Sequence, residues 1–142
     1  MFGTFNRSLD NKNRIIVPSK LRDALGSKFY MTIGLEGAIE LRSEKTFNDF
    51  ISILNAQSNF SIEARKIKRA WLGNTQEIEV DSQGRFLVPK TYIEKAAIQK
   101  DVVLVGIGDL VELWSLEKYN EYNENLDQEE LNSITARFAE KA

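Results

Sequence analysis

A chain of 142 residues with 42% hydrophobic and 28% charged side chains has the size and composition of one ordinary folded domain rather than a disordered segment. It holds no cysteine and no histidine, which excludes disulfides, thiolate metal sites, thiol nucleophiles and the commonest general acid–base side chain. The formal net charge of −2 runs against the basic balance usual in nucleic-acid binders, yet residues 1 to 22 carry Arg7, Lys12, Arg14, Lys20 and Arg22 against Asp10 alone.

In chain order, the opening MFGTFNRSL has no basic segment followed by an apolar core, and apolar runs such as Val102 to Val105 are far too short to cross a bilayer, so a reduced, soluble, cytoplasmic protein is expected. FGTFNRSL alternates as a strand does. The polar residues Asp10 to Asn13 then predict a tight turn into a second short strand, RIIV, which together make a hairpin. Asn13, the best non-glycine residue for a left-handed backbone, stands where that turn needs one. Pro18 suits the first position of a short helix that Gly26 ends. FYMTIGL and AIELR predict a β-pair joined through Gly37, and Ser43 suits the N-cap of a helix carrying Phe47, Phe50, Ile51 and Leu54 at helical spacing. SIEARKIKRAWL, over residues 61–72, predicts a basic linking helix stopped by Gly73.

The pattern then starts again. QEIEV predicts a strand, DSQGRFLVP repeats DNKNRIIVP, and Gly84 takes the place of Asn13 and Arg85 that of Arg14. Pro89 opens the second short helix. DVVLVGI and LVELW pair through Gly108–Asp109, and Ser115 caps a helix with Leu116, Tyr119 and Tyr122 on one side. Ile39, Glu40 and Leu41 fall on Val111, Glu112 and Leu113 in this alignment, so the chain is one unit written twice. Residues 1–60 are read as the first repeat, 61–73 as the link, 74–126 as the second repeat and 127–142 as a C-terminal amphipathic helix. Asp127 caps that helix, Glu130 sits at its third position, and its stripe of Leu131, Ile134, Thr135 and Phe138 reads as core or subunit contact. The expected fold is α+β: two tandem hairpin-and-helix units packed with pseudo-two-fold symmetry and flanked by helices.

What needs the device twice? Core packing accounts for a repeated valine and proline, but a long cation at a turn contributes little to a core and more to a partner. Two Arg-bearing hairpins on related surfaces suit a ligand that repeats along its length, as duplex DNA does, and a two-stranded ribbon fits the major groove, where arginine pairs with guanine. Arg14 and Arg85 are the main candidates for DNA contact, against the alternative of structural arginines paired with the local aspartate. Lys12, Asn13 and Gln83 in the turns and Arg7 beside them complete the candidate surface. Lys20 and Arg22 add to the first hairpin's field or to a solvated face. Asp10 and Asp81, with Gly84, are read as shaping the turns rather than as catalytic groups. The basic helix around Arg65, Lys66, Lys68 and Arg69 reads as a solvated face, and Trp71 and Trp114 as core or subunit contact. The carboxylates Asp127, Glu129 and Glu130 are explained by capping, GIGD near Gly106 lacks what a phosphate-binding loop needs, and no metal or cofactor site is expected.

LDNKNRIIVPSKLR paired with VDSQGRFLVPKTYI, the LGN segment before the second copy, and VLVGIGDLVELW resemble the MraZ family, of the SpoVT-AbrB-like group, over almost the whole chain. The resemblance implies a non-enzymatic transcriptional regulator, mainly a repressor, of the division and cell-wall gene cluster. It implies binding to short G-rich direct repeats in double-stranded promoter DNA, assembly into a homo-oligomeric ring, and a place in the cytoplasm at the nucleoid. Carried over, the DNA-contacting arginine maps to Arg14, the turn lysine to Lys12 and the second-copy arginine to Arg85. Asn13 departs from the usual glycine without changing the backbone it allows, whereas Gln83 in place of a second lysine makes the first copy the stronger contact. An oligomeric protein-interaction scaffold in cell division is the alternative reading, distinguished by its indifference to promoter sequence and salt.

Overall fold

A computed structural model describes residues 1–141. Strands β1 (Phe2–Ser8) and β2 (Arg14–Ile16) precede helix α1 (Ser19–Leu25), then come β3 (Lys28–Ile33), a single 3₁₀ turn (Leu35–Gly37), β4 (Ile39–Ser43) and helices α2 (Glu44–Asn55) and α3 (Ile62–Leu72). The second unit repeats the order as β5 (Gln76–Glu79), β6 (Arg85–Leu87), α4 (Lys90–Lys95), β7 (Asp101–Ile107), β8 (Val111–Ser115) and α5 (Leu116–Glu124), followed by α6 (Gln128–Lys141). Among the described residues no helix is long and apolar enough to cross a membrane.

The local signals act where they were expected. Asn13 and Gly84 have φ of 61° and 77°, and Gly26 ends α1 with φ 81° while its N–H reaches the Arg22 carbonyl. The hydroxyls of Ser43, Ser61 and Ser115 accept from the N–H groups of Thr46, Ala64 and Lys118, capping α2, α3 and α5. Pro18 and Pro89 sit one residue earlier than expected, at the N-caps, because their ψ angles of 134° and 147° are extended. Gly73 closes α3, and a Cβ there would stand 2.4 Å from the Arg69 carbonyl oxygen, so only glycine fits.

Strand pairing departs from the sequence reading. The expected local hairpins do not form ladders, because β1 pairs with β7 over the full length from Phe2↔Ile107 to Ser8↔Asp101, and β5 pairs with β3. One antiparallel sheet results, ordered β1-β7-β8-β4-β3-β5, in which each unit lends its first strand to the other. β2 and β6 leave this sheet and pair with one another, with Arg14↔Leu87, Ile15↔Phe86 and Ile16↔Arg85 in register. The physical reason is burial. Crossing puts Ile15 and Phe86, 0% and 1% exposed, between the units, where Phe86 meets Phe29 edge-on at 5.2 Å.

The core around them gathers Leu21, Leu25, Met31, Ile39 and Leu41 from the first unit with Val88, Tyr92, Leu104, Val111 and Leu113 from the second. On the other face of β4, Arg42 pairs with Glu40 at 2.9 Å and stacks on Phe50, which also meets Trp71; Trp114 is buried against Tyr119 and Tyr122. The stripe of α6 is no part of this core. Leu131 and Phe138 are 38% and 71% exposed, and a groove of about 450 Å³ between α5 and α6 is lined by Trp114, Tyr122, Leu131 and Ile134.

Candidate nucleic-acid interface

Each D-x-x-x-R segment closes on itself through one carboxylate. Asp10 Oδ1 accepts the N–H groups of Lys12 at 2.9 Å and Arg14 at 2.8 Å, while Oδ2 accepts Arg14 Nε–H at 2.8 Å. Asp81 repeats the arrangement on Gln83, Arg85 and Arg85 Nε, all at 2.9 Å. The backbone closes the same loops, Asp10 N–H to the Arg14 carbonyl and Asn13 N–H to that of Asp10, with the matching pair at Asp81 and Gly84. Only a left-handed residue at the fourth position lets the chain turn back this tightly.

The N–H of Arg14 foremost, and then its guanidinium, hold the Asp10 carboxyl down at about 2 from its ordinary value of 3.8. Arg85 lowers Asp81 by the same causes in the same order. Both aspartates are therefore ionised at neutral pH, and each fixes its arginine by Nε. The hydrogen bond to each carboxylate is made by Nε and not by the two Nη groups, the fork that grips a guanine edge or a phosphate. Arg14 and Arg85 keep 26% and 25% of their side-chain surface exposed.

The two turns are tied to each other as well as to themselves. Val17 N–H donates to the Gly84 carbonyl and Val88 N–H to the Asn13 carbonyl, both at 2.9 Å, so each turn is held by the other unit's strand end. Along β2 and β6 the side chains alternate, with Ile15 and Phe86 facing in and Arg14, Ile16, Arg85 and Leu87 facing out. One two-stranded ribbon thus carries both arginines on one face, with Lys12, Asn13 and Gln83 exposed at its two ends.

Arg7 stands apart on β1 opposite Val102, and its Nη1 donates to the Asn6 carbonyl at 2.8 Å rather than toward the turn. Arg22, read from sequence as part of the first hairpin's field, lies over the second turn instead. Its Nη2 would stand 3.0 Å from a Cβ at Gly84, and it donates to the Val17 carbonyl at 3.4 Å. The second turn, which has Gln83 where the first has Lys12, thereby receives a cation from the first unit's helix. No local signal marks that placement, since it depends on how the units cross. Among the described residues no group of three metal-ligating side chains comes together.

Two interleaved hairpin-and-helix units, sharing one ribbon across a pseudo-two-fold axis, define an internally duplicated α+β protein. The family model described as "MraZ protein, putative antitoxin-like" matches the chain twice, over residues 1–70 and 71–141. The chain belongs to the MraZ family. It is 42% identical to the transcriptional regulator MraZ of Mycoplasmopsis pulmonis over 140 residues, 99% of this chain and 95% of that protein. It is 38% identical to the MraZ regulator of Mycoplasma mobile over 142 residues, with 99% and 97% covered. With that of Clostridium beijerinckii it shares 43% identity over 129 residues, with 88% and 89% covered.

Proposed function

We propose that this chain is a transcriptional regulator that acts by binding double-stranded DNA, not an enzyme. Its relatives carry the name of transcriptional regulators, and the observation that carries the reading is the ribbon. Two arginines share one outward face, each held by an aspartate through Nε at 2.8–2.9 Å, which leaves its Nη fork outside that hydrogen bond. A two-stranded ribbon of this width enters a major groove, where such a fork bonds guanine O6 and N7. Arg14, Arg85 and Lys12 are the principal contacts, with Asn13 and Gln83 at base edges or phosphates and Arg7 strengthening the field. Asp10, Asp81 and Gly84 hold the turns in shape.

The finer reading is a repressor of the division and cell-wall gene cluster that binds direct repeats in its promoter as a homo-oligomeric ring, in the cytoplasm at the nucleoid. Exposed apolar side chains such as Phe60 at 99%, Ile62 at 73% and Phe138 at 71% supply surface for such an assembly. Ring assembly also reconciles an acidic chain with DNA, since linked modules on adjacent repeats gain roughly 10²- to 10⁴-fold in avidity with no new contact.

The test is fluorescence anisotropy with a duplex taken from upstream of the protein's own gene beside a scrambled duplex of the same composition, over a range of ionic strength. Affinity for the upstream duplex should exceed that for the scrambled one by at least about tenfold and fall steeply with salt. Equal affinity for both at every salt concentration would leave the scaffold reading in its place.

A further inference from the structure

The outward face of the ribbon is not wholly polar. Ile16 and Leu87 are 52% and 54% exposed, on the same side of the strands as the two arginines. Ladder register makes the pattern specific: Arg14 stands directly opposite Leu87, and Arg85 directly opposite Ile16. Each guanidinium therefore has an aliphatic side chain as its cross-strand neighbour, with Cβ atoms about 5 Å apart. Their immediate neighbours along the strands, Ile15 and Phe86, are fully buried on the opposite face, so the strands have an inward face for their apolar residues and still place two more outside.

A face of two cations and two aliphatic side chains has a matching surface in DNA. The major groove offers one apolar group, the C5-methyl of thymine, and in the same groove guanine presents the paired acceptors that an arginine fork takes. Side chains whose Cβ atoms stand about 5 Å apart can reach bases one step of about 3.4 Å apart, because both are long enough to converge by the difference. Resting on the DNA-binding reading above, we infer that Leu87 and Ile16 are specificity-determining residues that pack on thymine methyl groups beside the bases reached by Arg14 and Arg85. Each half of the ribbon then reads a guanine and a neighbouring thymine together.

The experiment uses the full-length protein and the duplex from upstream of its own gene, prepared once with thymine and once with deoxyuridine, which lacks only the methyl. Wild-type protein should bind the deoxyuridine duplex more weakly by about fourfold for each methyl contacted, the value of one buried carbon. Ile16→Ala with Leu87→Ala should bind both duplexes with the same affinity, equal to or below that of wild type on deoxyuridine, with an unchanged oligomer mass. If the wild type binds the two duplexes equally while Arg14→Ala still weakens binding, the methyl inference is overturned and the DNA-binding reading stands. If the double variant keeps the wild-type preference for thymine, the methyl is sensed elsewhere and the inference fails. A changed oligomer mass in the double variant would make this face a contact between copies and overturn it too. Loss of all binding to the upstream duplex by the wild type would remove the DNA-binding reading itself.

Discussion

Replacing Arg14 by alanine separates its two possible jobs by size. In the folded chain its Nε–Asp10 pair is 2.8 Å long, but the two side chains keep 26% and 33% exposure. An ion pair this wet contributes little to stability. The turn itself is closed by Asp10 through the N–H groups of Lys12 and Arg14 and by the backbone, and all of these survive in alanine. The melting temperature should therefore fall by no more than about 5 °C, and oligomer mass should stay the same. If the Nη fork grips a guanine, discrimination at that base should drop by about 1 to 3 kcal/mol, roughly 5- to 150-fold. Anisotropy at fixed salt with the upstream duplex measures the loss, and single-base variants of the duplex locate it. An even loss across all sequences, with a salt slope lower by about 1, would mean phosphate contact instead. Unchanged affinity in a folded, correctly assembled variant would refute the role given to the ribbon.

Two other outcomes follow from the same geometry. Arg22→Ala should reduce the salt slope of DNA binding by about 1, with an effect that is additive with Arg14→Ala and non-additive with Arg85→Ala, because its guanidinium lies over Gly84 of the second turn; additivity with both would return it to a solvated face. The Asp10 carboxyl, held at about 2 against an ordinary 3.8, contributes stability that is fully present above pH 4 and is lost as pH falls toward 2. Thermal melts of wild type and Asp10→Asn should therefore differ at pH 6 and converge near pH 2, and a constant gap across that window would contradict the assigned cause.

The turns were legible because their causes are local. An aspartate with a left-handed residue three positions later closes the same loop wherever it is placed, and Asn13 and Gly84 signalled it twice. The alternation of FGTFNRSL likewise marks a strand, yet alternation records which side chains face inward and not which strand lies alongside. β1 therefore reads equally well as the partner of β2 or of β7, and only the burial of Ile15 and Phe86 between the units decides. For the same reason sequence leaves Arg22 between the first hairpin's field and a solvated face, whereas the crossing of the units sets its guanidinium beside Gly84 of the second turn. The α6 stripe carries a helical period, as α2 does, but periodicity cannot tell a face that the chain covers itself from one it leaves outside, as Phe138 shows.

The exchange of first strands has a consequence for synthesis. On the ribosome the N-terminal half emerges with β1 and β2 complete in sequence but without ladders, since their partners Asp101–Ile107 and Arg85–Leu87 are still to be made. Contacts of such long sequence separation form late. The first unit cannot present Arg14 on a finished ribbon until the second has arrived, and a chain truncated before β7 is left with an unpaired N-terminal strand.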